Sequence, residues 1–355
     1  MNMFSFALSN VKNDVMKWLS VKTGRAFSKP YQITIEPNER CNARCLMCDC
    51  WKETQDYISS DEILTVLKEL RGWIGPNFFV QIAGGEPLIY PGIYDIFRYC
   101  ADHQIICKIS SNGISLNSES VCQKIIESGL KYLTVSIDSH KAEIHDKYRG
   151  VPGAFDKAIK GLKYLDEHSD MVLGVSCIIM KENVDHLKEF TDFLLSLPVG
   201  RILFQPVRAY KMKISEWHTH PMWIDDHKKL EEGIAYIKKR KKEDPRIMNT
   251  VDHLDTMVNY FKDPKSILNS QHCHIGYEQL NITYKGDVFL CDAYGKLGNI
   301  KEGSVKAMWK SEHARKVRKK MVTCKLPCTS NCKKELTFWQ KVQKFMVFFK
   351  AGMFK

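Results

Sequence analysis

The sequence predicts an α/β fold: six strand and helix units in series, forming a parallel sheet curled into a partial barrel rather than a complete eight-stranded one. Short β-branched runs alternate with amphipathic stretches between Tyr31 and Val207, the pattern of repeated βα units. A second signal begins at Tyr277: Leu280, Ile282 and Tyr284 alternate, Lys285-Gly286-Asp287 turns, and Val288 and Leu290 resume, as in a hairpin. No internal repeat or low-complexity segment interrupts either pattern.

The predicted strands are Gln32 to Ile35, Phe79 to Ala83, Ile106 to Ser110, Tyr132 to Ile137, Val172 to Ile179 and Arg201 to Gln205. Between the first two, Ser59 and Glu62 form a capping box ahead of Ile63, Leu64, Val66, Leu67 and Leu70, whose spacing places them on one helix face. Similar helical patterns occupy about 93–103, 118–128, 154–166 and 184–196. In such a sheet, functional residues lie at the carboxyl ends of the strands. Residues 211–270, rich in Lys, Asp, Glu and His, read as connecting helices, and a helix over about 304–320 follows the hairpin. The chain divides into an N-terminal amphipathic segment (1–28), the partial barrel (29–210), a helical connector (211–270), the hairpin and its cysteines (271–335) and a basic aromatic tail (336–355).

With 355 residues, 44% hydrophobic and 26% charged, the chain is long enough for a large core, which excludes a disordered chain and a disulfide mini-protein. The formal charge of +12, from 53 basic and 41 acidic residues, raises nucleic acid or an anionic membrane as a partner. Its distribution narrows that reading: from Lys301 onward 15 Lys and Arg face three acids, so residues 1–300 balance at 38 against 38. No stacking motif accompanies the charge, and nucleic acid is not an expected partner. No run of about 18 uncharged apolar residues exists for a spanning helix. The N-terminus interleaves Lys12, Asp14 and Lys17 among its apolar residues and lacks the core of a secretory signal, so a cytoplasmic protein is expected. The tail carries Trp and Phe beside Lys341, Lys344 and Lys350 and leaves two readings open: contact with anionic lipid at the inner membrane face, or docking of both chain ends on the barrel.

Thirteen cysteines without an export signal point to metal ligands or buried thiols rather than disulfides. Cys41, Cys45 and Cys48 directly follow the first strand. Three thiolates on one loop can hold three corners of a cubane [4Fe-4S] cluster and leave the fourth iron open to a substrate or cofactor. Zinc, with Cys50 as a fourth ligand, is the alternative. Cys273 precedes the hairpin, Gly286-x4-Cys291 closes it, and Cys324, Cys328 and Cys332 follow the last helix; zinc is compatible with this set too. Cys100, Cys107, Cys122 and Cys177 fall on strand or helix patterns and read as core residues. His218, His220, His272 and His274 read as ordinary loop histidines.

The first cysteine loop resembles that of the radical S-adenosylmethionine (SAM) superfamily, whose hallmark is this three-cysteine spacing after the first strand of a partial (βα)6 barrel. The resemblance covers roughly 31–207. Gly84-Gly85-Glu86-Pro87 is similar to the family's Gly-Gly-Glu element, which receives the methionine amino group, and Ser111-Asn112-Gly113, Ser136-Ile137-Asp138 and the run from His145 to Gly150 look like further family elements. The resemblance implies a [4Fe-4S] cluster and SAM as cofactors, with Gly84, Gly85, Glu86, Asn112, Ser136, Asp138, Arg149 and Gln205 around SAM. Ser136 and Arg149 would lie near its ribose and carboxylate, and Gln205 near its adenine. One departure stands out: the family often has an aromatic directly after the last cysteine, where this chain has Asp49, with Trp51 close by.

The later cysteines resemble the auxiliary-cluster extensions called SPASM and twitch, as does the stretch from Gly298-Asn299-Ile300 to Met308-Trp309. A full SPASM domain takes about seven cysteines for two clusters. Five follow residue 270 here, so the resemblance implies one auxiliary [4Fe-4S] cluster, held by four of Cys273, Cys291, Cys324, Cys328 and Cys332. The implied activity is reductive cleavage of SAM to a 5'-deoxyadenosyl radical, which abstracts hydrogen from a peptide, sugar or lipid-linked substrate. Flavodoxin or ferredoxin would be the reducing partner. The alternative is a non-catalytic iron-sulfur electron carrier or a zinc-stabilised scaffold.

Overall fold

The structure, a computed structural model, describes residues 16–52, 57–208, 214–267, 273–326 and 328. A helix α1 over 16–23 leads in. There follow β1 (Gln32–Ile35), α2 (Ser60–Ile74), β2 (Phe79–Ile82), α3 (Ile93–Asp102), β3 (Ile106–Ser111), α4 (Glu119–Glu127), β4 (Tyr132–Ser136), α5 (Ala142–Arg149), α6 (Ala154–His168), β5 (Val172–Ile179), α7 (Leu187–Ser196) and β6 (Arg201–Pro206). The connector supplies α8 (His227–Glu243) and α9 (Val251–Lys262), and the remainder β7 (Gln279–Ile282), β8 (Asp287–Phe289), β9 (Gly298–Asn299), α10 (Val305–Lys310) and α11 (Glu312–Val322). Every expected barrel strand is present within one residue of its expected ends.

The first six strands pair in parallel, in the spatial order β6-β5-β4-β3-β2-β1. Successive residues of a strand point to opposite faces. Ile33, Ile35, Val80, Ile82, Ile109, Leu133, Val135, Val175, Ile202 and Phe204 are buried in one core with the helices. The alternate positions Thr34, Gln81, Thr134, Ser136, Ser176 and Gln205 are only half-buried and polar. A parallel sheet covered on both faces reads apolar on both. The half-buried polar positions here show that this face of the sheet is not packed as a second apolar layer. At the amino ends of the strands the Lys108 ammonium lies 4.1 Å from the Phe79 ring and 5.6 Å from the Tyr132 ring, which narrows that end. Ser59 and Glu62 make the expected capping box, and Ile63, Val66, Leu67 and Leu70 of α2 are buried, each worth about 1.5–3 kcal/mol; Leu64 is half-buried.

Three features were not legible in the sequence. The run from His145 to Gly150 is the end of the short helix α5, closed by Gly150 at φ 65°, whose N–H bonds to the Asp146 carbonyl. The helix expected over 304–320 is two: Ser311 adopts an extended conformation and its hydroxyl accepts the Ala314 N–H at 3.0 Å, ending α10 and capping α11. Finally, the hairpin is continuous with the barrel, because β7 pairs in parallel with β1 from Gln32 opposite Gln279 to Ile35 opposite Ile282. With β8 and β9 antiparallel beyond it, the sheet has nine strands.

Helix contacts reinforce that junction. Glu69 of α2 accepts the Ser304 hydroxyl at 2.7 Å and the backbone N–H groups of Val305 and Lys306 at 3.2 and 2.8 Å, capping α10 from across the interface. Trp309 is fully buried and donates to the Ser28 carbonyl at 3.0 Å, with the Arg318 guanidinium 4.3 Å above its ring. Among the described residues no helix is long and apolar enough to cross a membrane. Most of the N-terminal amphipathic segment, His272, Cys332 and the basic tail lie outside the described residues.

Candidate cofactor site

Beyond β1 the chain turns through Glu36, Pro37 and Asn38 into the loop of Cys41, Cys45 and Cys48, at the carboxyl end of the strand. Backbone contacts clamp this loop from two sides. On one, the Gly85 N–H donates to the Asn38 carbonyl at 2.9 Å and the Glu86 N–H to the Arg40 carbonyl at 2.8 Å. A Cβ on Gly85 would stand 2.0 Å from the Arg40 oxygen, so only glycine fits. On the other side Arg44 and Leu46 donate to the carbonyls of Arg149 and Tyr148, both at 2.9 Å. Here a Cβ on Gly150 would meet the Arg44 oxygen at 2.5 Å.

Within this frame the thiols are half-buried or buried. Burial pushes the Cys41 thiol up, opposed by the Ala43 N–H at 3.4 Å and the Asn112 amide at 3.6 Å. Burial likewise pushes Cys45 up, and the Arg149 guanidinium, 3.8 Å from its sulfur, pulls it back. Cys48 is lowered to about 6, chiefly because the Cys50 thiol donates to it, and Cys50 is raised in turn. The loop thus favours at least one thiolate, the form in which cysteine binds metal.

The other expected cofactor residues gather around the same loop, but not all face it. Glu86 is buried, and its carboxylate accepts from Leu88 N–H at 3.1 Å, the Ser111 hydroxyl at 2.8 Å and Asn112 N–H at 2.7 Å. It fixes the turn after β3 rather than opening toward a ligand. Asp138 is fully buried and holds Arg149 at 2.7 Å. Asn112 is well placed: its amide reaches the Cys41 sulfur and the Asn42 side chain, the latter at 2.7 Å. Ser136 lies opposite Ser176, and the Gln205 amide donates to the Ser176 hydroxyl at 3.3 Å, making a polar strip across β4, β5 and β6. Gly84 takes φ 100°, and a Cβ there would stand 2.5 Å from the Asn38 oxygen.

Sequence reading missed Asn42, Ser176 and a carboxylate group at the junction of barrel and hairpin. Burial, with the charges of Asp292 and Glu39, raises Glu36 to about 7. Asp292 is raised as well by burial, opposed by Arg208. The available signal was position: Glu36 directly follows β1 and Asp292 directly follows Cys291. Of the histidines, His218 is exposed and His220 half-buried.

The later cysteines also converge. Burial pushes the Cys291 thiol up, with Asp292, Cys273 and Cys328 adding to it, and burial pushes Tyr294 up with Cys324, Cys291 and Cys273 among its neighbours. The Tyr294 hydroxyl also reaches the Lys320 carbonyl at 3.3 Å, fixing the end of α11 against this group. Cys100, Cys107, Cys122 and Cys177 are buried core residues.

A fit test is available at the first loop. Arg149 Nε is buried with no hydrogen-bond partner among the described residues, while Nη1 of the same guanidinium lies 3.8 Å from the Cys45 sulfur and Nη2 2.7 Å from Asp138. A buried N–H donor with no partner beside the cysteine loop suits an anionic group, and a cubane bound by three thiolates is one.

Comparison with known proteins agrees. Residues 35–194 match the Radical SAM superfamily, and residues 273–334 match SPASM, an iron-sulfur cluster-binding domain. The chain thus carries a radical SAM domain followed by a SPASM domain. Curated relatives include an AdoMet-dependent heme synthase of Oleidesulfovibrio alaskensis, 28% identical over 44% of this chain and 40% of its own. Another is the mycofactocin maturase MftC of Mycolicibacterium smegmatis, 29% identical over 47% of this chain and 42% of its own. The radical SAM chain thus spans less than half the length of these relatives. Among solved structures, Streptococcus suis SuiB bound to the precursor peptide SuiA shares the fold, with a TM-score of 0.64 and 19% identity over 86% of this chain and 70% of its own. The two domains imply a [4Fe-4S] cluster, SAM and auxiliary iron-sulfur binding.

Proposed function

We propose that this chain is a radical SAM enzyme in which Cys41, Cys45 and Cys48 hold the catalytic cluster and four of Cys273, Cys291, Cys324, Cys328 and Cys332 an auxiliary one. The observation that carries the reading is the cysteine loop gripped between Gly85 and Gly150 at the carboxyl end of β1, the strand whose half-buried face is polar. When bound, the cluster supplies the electron that cleaves SAM to a 5'-deoxyadenosyl radical, which takes hydrogen from the substrate.

The protein's own residues orient and shield. The backbone around Gly84 and Gly85 offers polar groups beside the loop, where the methionine end of SAM would sit. Asn112 and Arg149 place donors at the cysteine sulfurs. Ser136, Ser176 and Gln205 offer hydroxyl and amide groups along the sheet for ribose and adenine. Enclosing SAM and substrate on this face would keep the radical away from other hydrogen donors and so from side reactions.

The SuiB structure carries a precursor peptide, which supports a peptide as substrate class here, and a low-potential donor such as flavodoxin or ferredoxin is the partner the chemistry requires. The test is anaerobic reconstitution. About eight iron per chain, the sum of two [4Fe-4S] clusters, and dithionite-dependent 5'-deoxyadenosine formation are expected. Zinc in place of iron would overturn the assignment, and iron uptake without SAM cleavage would favour an electron carrier.

A further inference from the structure

Arg149 is held more firmly than binding a mobile ligand requires. Its Nη2 lies 2.7 Å from Asp138 Oδ2 and its Nη1 donates toward Cys45 Sγ at 3.8 Å, with the side chain only 10% exposed. Asp138 is itself locked from several directions. Its Oδ1 accepts Ile178 N–H at 3.1 Å, its carbonyl accepts the Asn183 amide at 2.8 Å, and its N–H donates to His145 Nδ1 at 3.2 Å. The end of β5, the turn at Asn183 and helix α5 therefore all fix the guanidinium against one cysteine sulfur.

Hydrogen bonds to cluster sulfurs, net charge and solvent exposure set the reduction potential of an iron-sulfur cluster. Reduction adds one negative charge, which a neighbouring cation and an N–H···S contact stabilise more than they stabilise the oxidised form. In a buried setting that difference is screened little. We propose that Arg149 holds up the reduction potential of the cluster at Cys41, Cys45 and Cys48 by donating to the Cys45 sulfur, and that Asp138 is the residue that positions it. The proposal rests on the reading of this loop as a cluster site and concerns the cluster before SAM binds.

The test uses the full-length, reconstituted protein without SAM; the electron paramagnetic resonance (EPR) signal that changes on later addition of SAM identifies the relevant cluster. In protein labelled with 15N-arginine and reduced with dithionite, pulsed EPR should detect a coupled nitrogen that disappears in Arg149→Lys. Its absence from the parent protein overturns the contact. In potentiometric titrations Arg149→Gln should disfavour the reduced cluster about tenfold, a fall in midpoint of about 59 mV for one electron, with Arg149→Lys in between. An unchanged midpoint overturns the proposal. If Arg149→Gln binds no iron, the Arg149→Lys titration and the labelled parent protein decide. Asp138→Asn should shift the midpoint by different amounts in the parent and in Arg149→Gln, and equal shifts would exclude a positioning role. A parent protein with no iron-sulfur signal sinks the cluster reading itself, which is distinguishable from a normal signal with an unmoved midpoint.

Discussion

Cys41, Cys45 and Cys48 come from eight consecutive residues, whereas Cys273, Cys291, Cys324 and Cys328 come from separate segments spread over 56. The first group is shaped by backbone contacts at Gly85 and Gly150 and backed by the buried charges of Glu86, Asp138 and Arg149. The second depends on pieces brought together by the sheet, through β7 on β1, and by helix contacts at Glu69, Trp309 and Arg318. A loop fixed by its own neighbours needs little from the rest of the fold; a site assembled from distant segments inherits the stability of every joint between them.

The largest test of that contrast is chemical. Cys45→Ala should abolish dithionite-dependent 5'-deoxyadenosine formation, while Cys291→Ala should leave SAM cleavage running without product. Loss of cleavage only in the second variant would reverse the assignment of the two sites.

Next comes Gly85→Ala, whose Cβ meets the Arg40 oxygen and forces the loop to move. It should cost about 3 kcal/mol or more and lower iron content, measured by thermal unfolding and iron assay. By comparison Gly286→Ala in the hairpin, at φ 80°, should cost about 1–2 kcal/mol and spare the first cluster.

Glu36 directly follows β1, and burial, with the nearby charges of Asp292 and Glu39, raises it to about 7. A carboxyl raised in the folded state contributes stability that is fully present below its unfolded value of 4.5 and is lost as pH rises through 7. Glu36→Gln should therefore stabilise the metal-free protein by about 2 kcal/mol near pH 8 and by little near pH 4, read from unfolding curves across pH. A pH-independent difference would contradict the assigned environment. The smallest effect belongs to Glu69→Ala, which removes the cap of α10 and should cost about 1 kcal/mol, with the auxiliary cluster more labile to chelator than the first.

Sequence alone was a good guide where the physics is local. The six barrel strands have a period of two, α2 has its capping box, and the first cysteines are neighbours in the chain, so all were legible. Helix α5 was not, because its eight residues are mostly polar and only Gly150 marks its end. The break at Ser311 was hidden inside a continuous helical pattern. Glu86 and Asp138 were expected around the cofactor, yet no spacing reveals that their carboxylates turn inward to Asn112 and Arg149. Nor does any local pattern tell β7 to pair with β1, 247 residues earlier, since register across that distance is decided by the assembled sheet.

That pairing also sets a timetable. At roughly 5–20 residues per second of synthesis, β1 waits about 12 to 50 seconds for β7 to be made. Until then its outer edge carries unpaired backbone groups beside Ile33 and Ile35, and an open edge is a template for association with other chains. The nascent barrel is thus exposed to aggregation at the strand that leads into the cysteine loop. Chaperone dependence during expression, and its relief when residues 273–299 are supplied early by circular permutation, are where this delay should become visible.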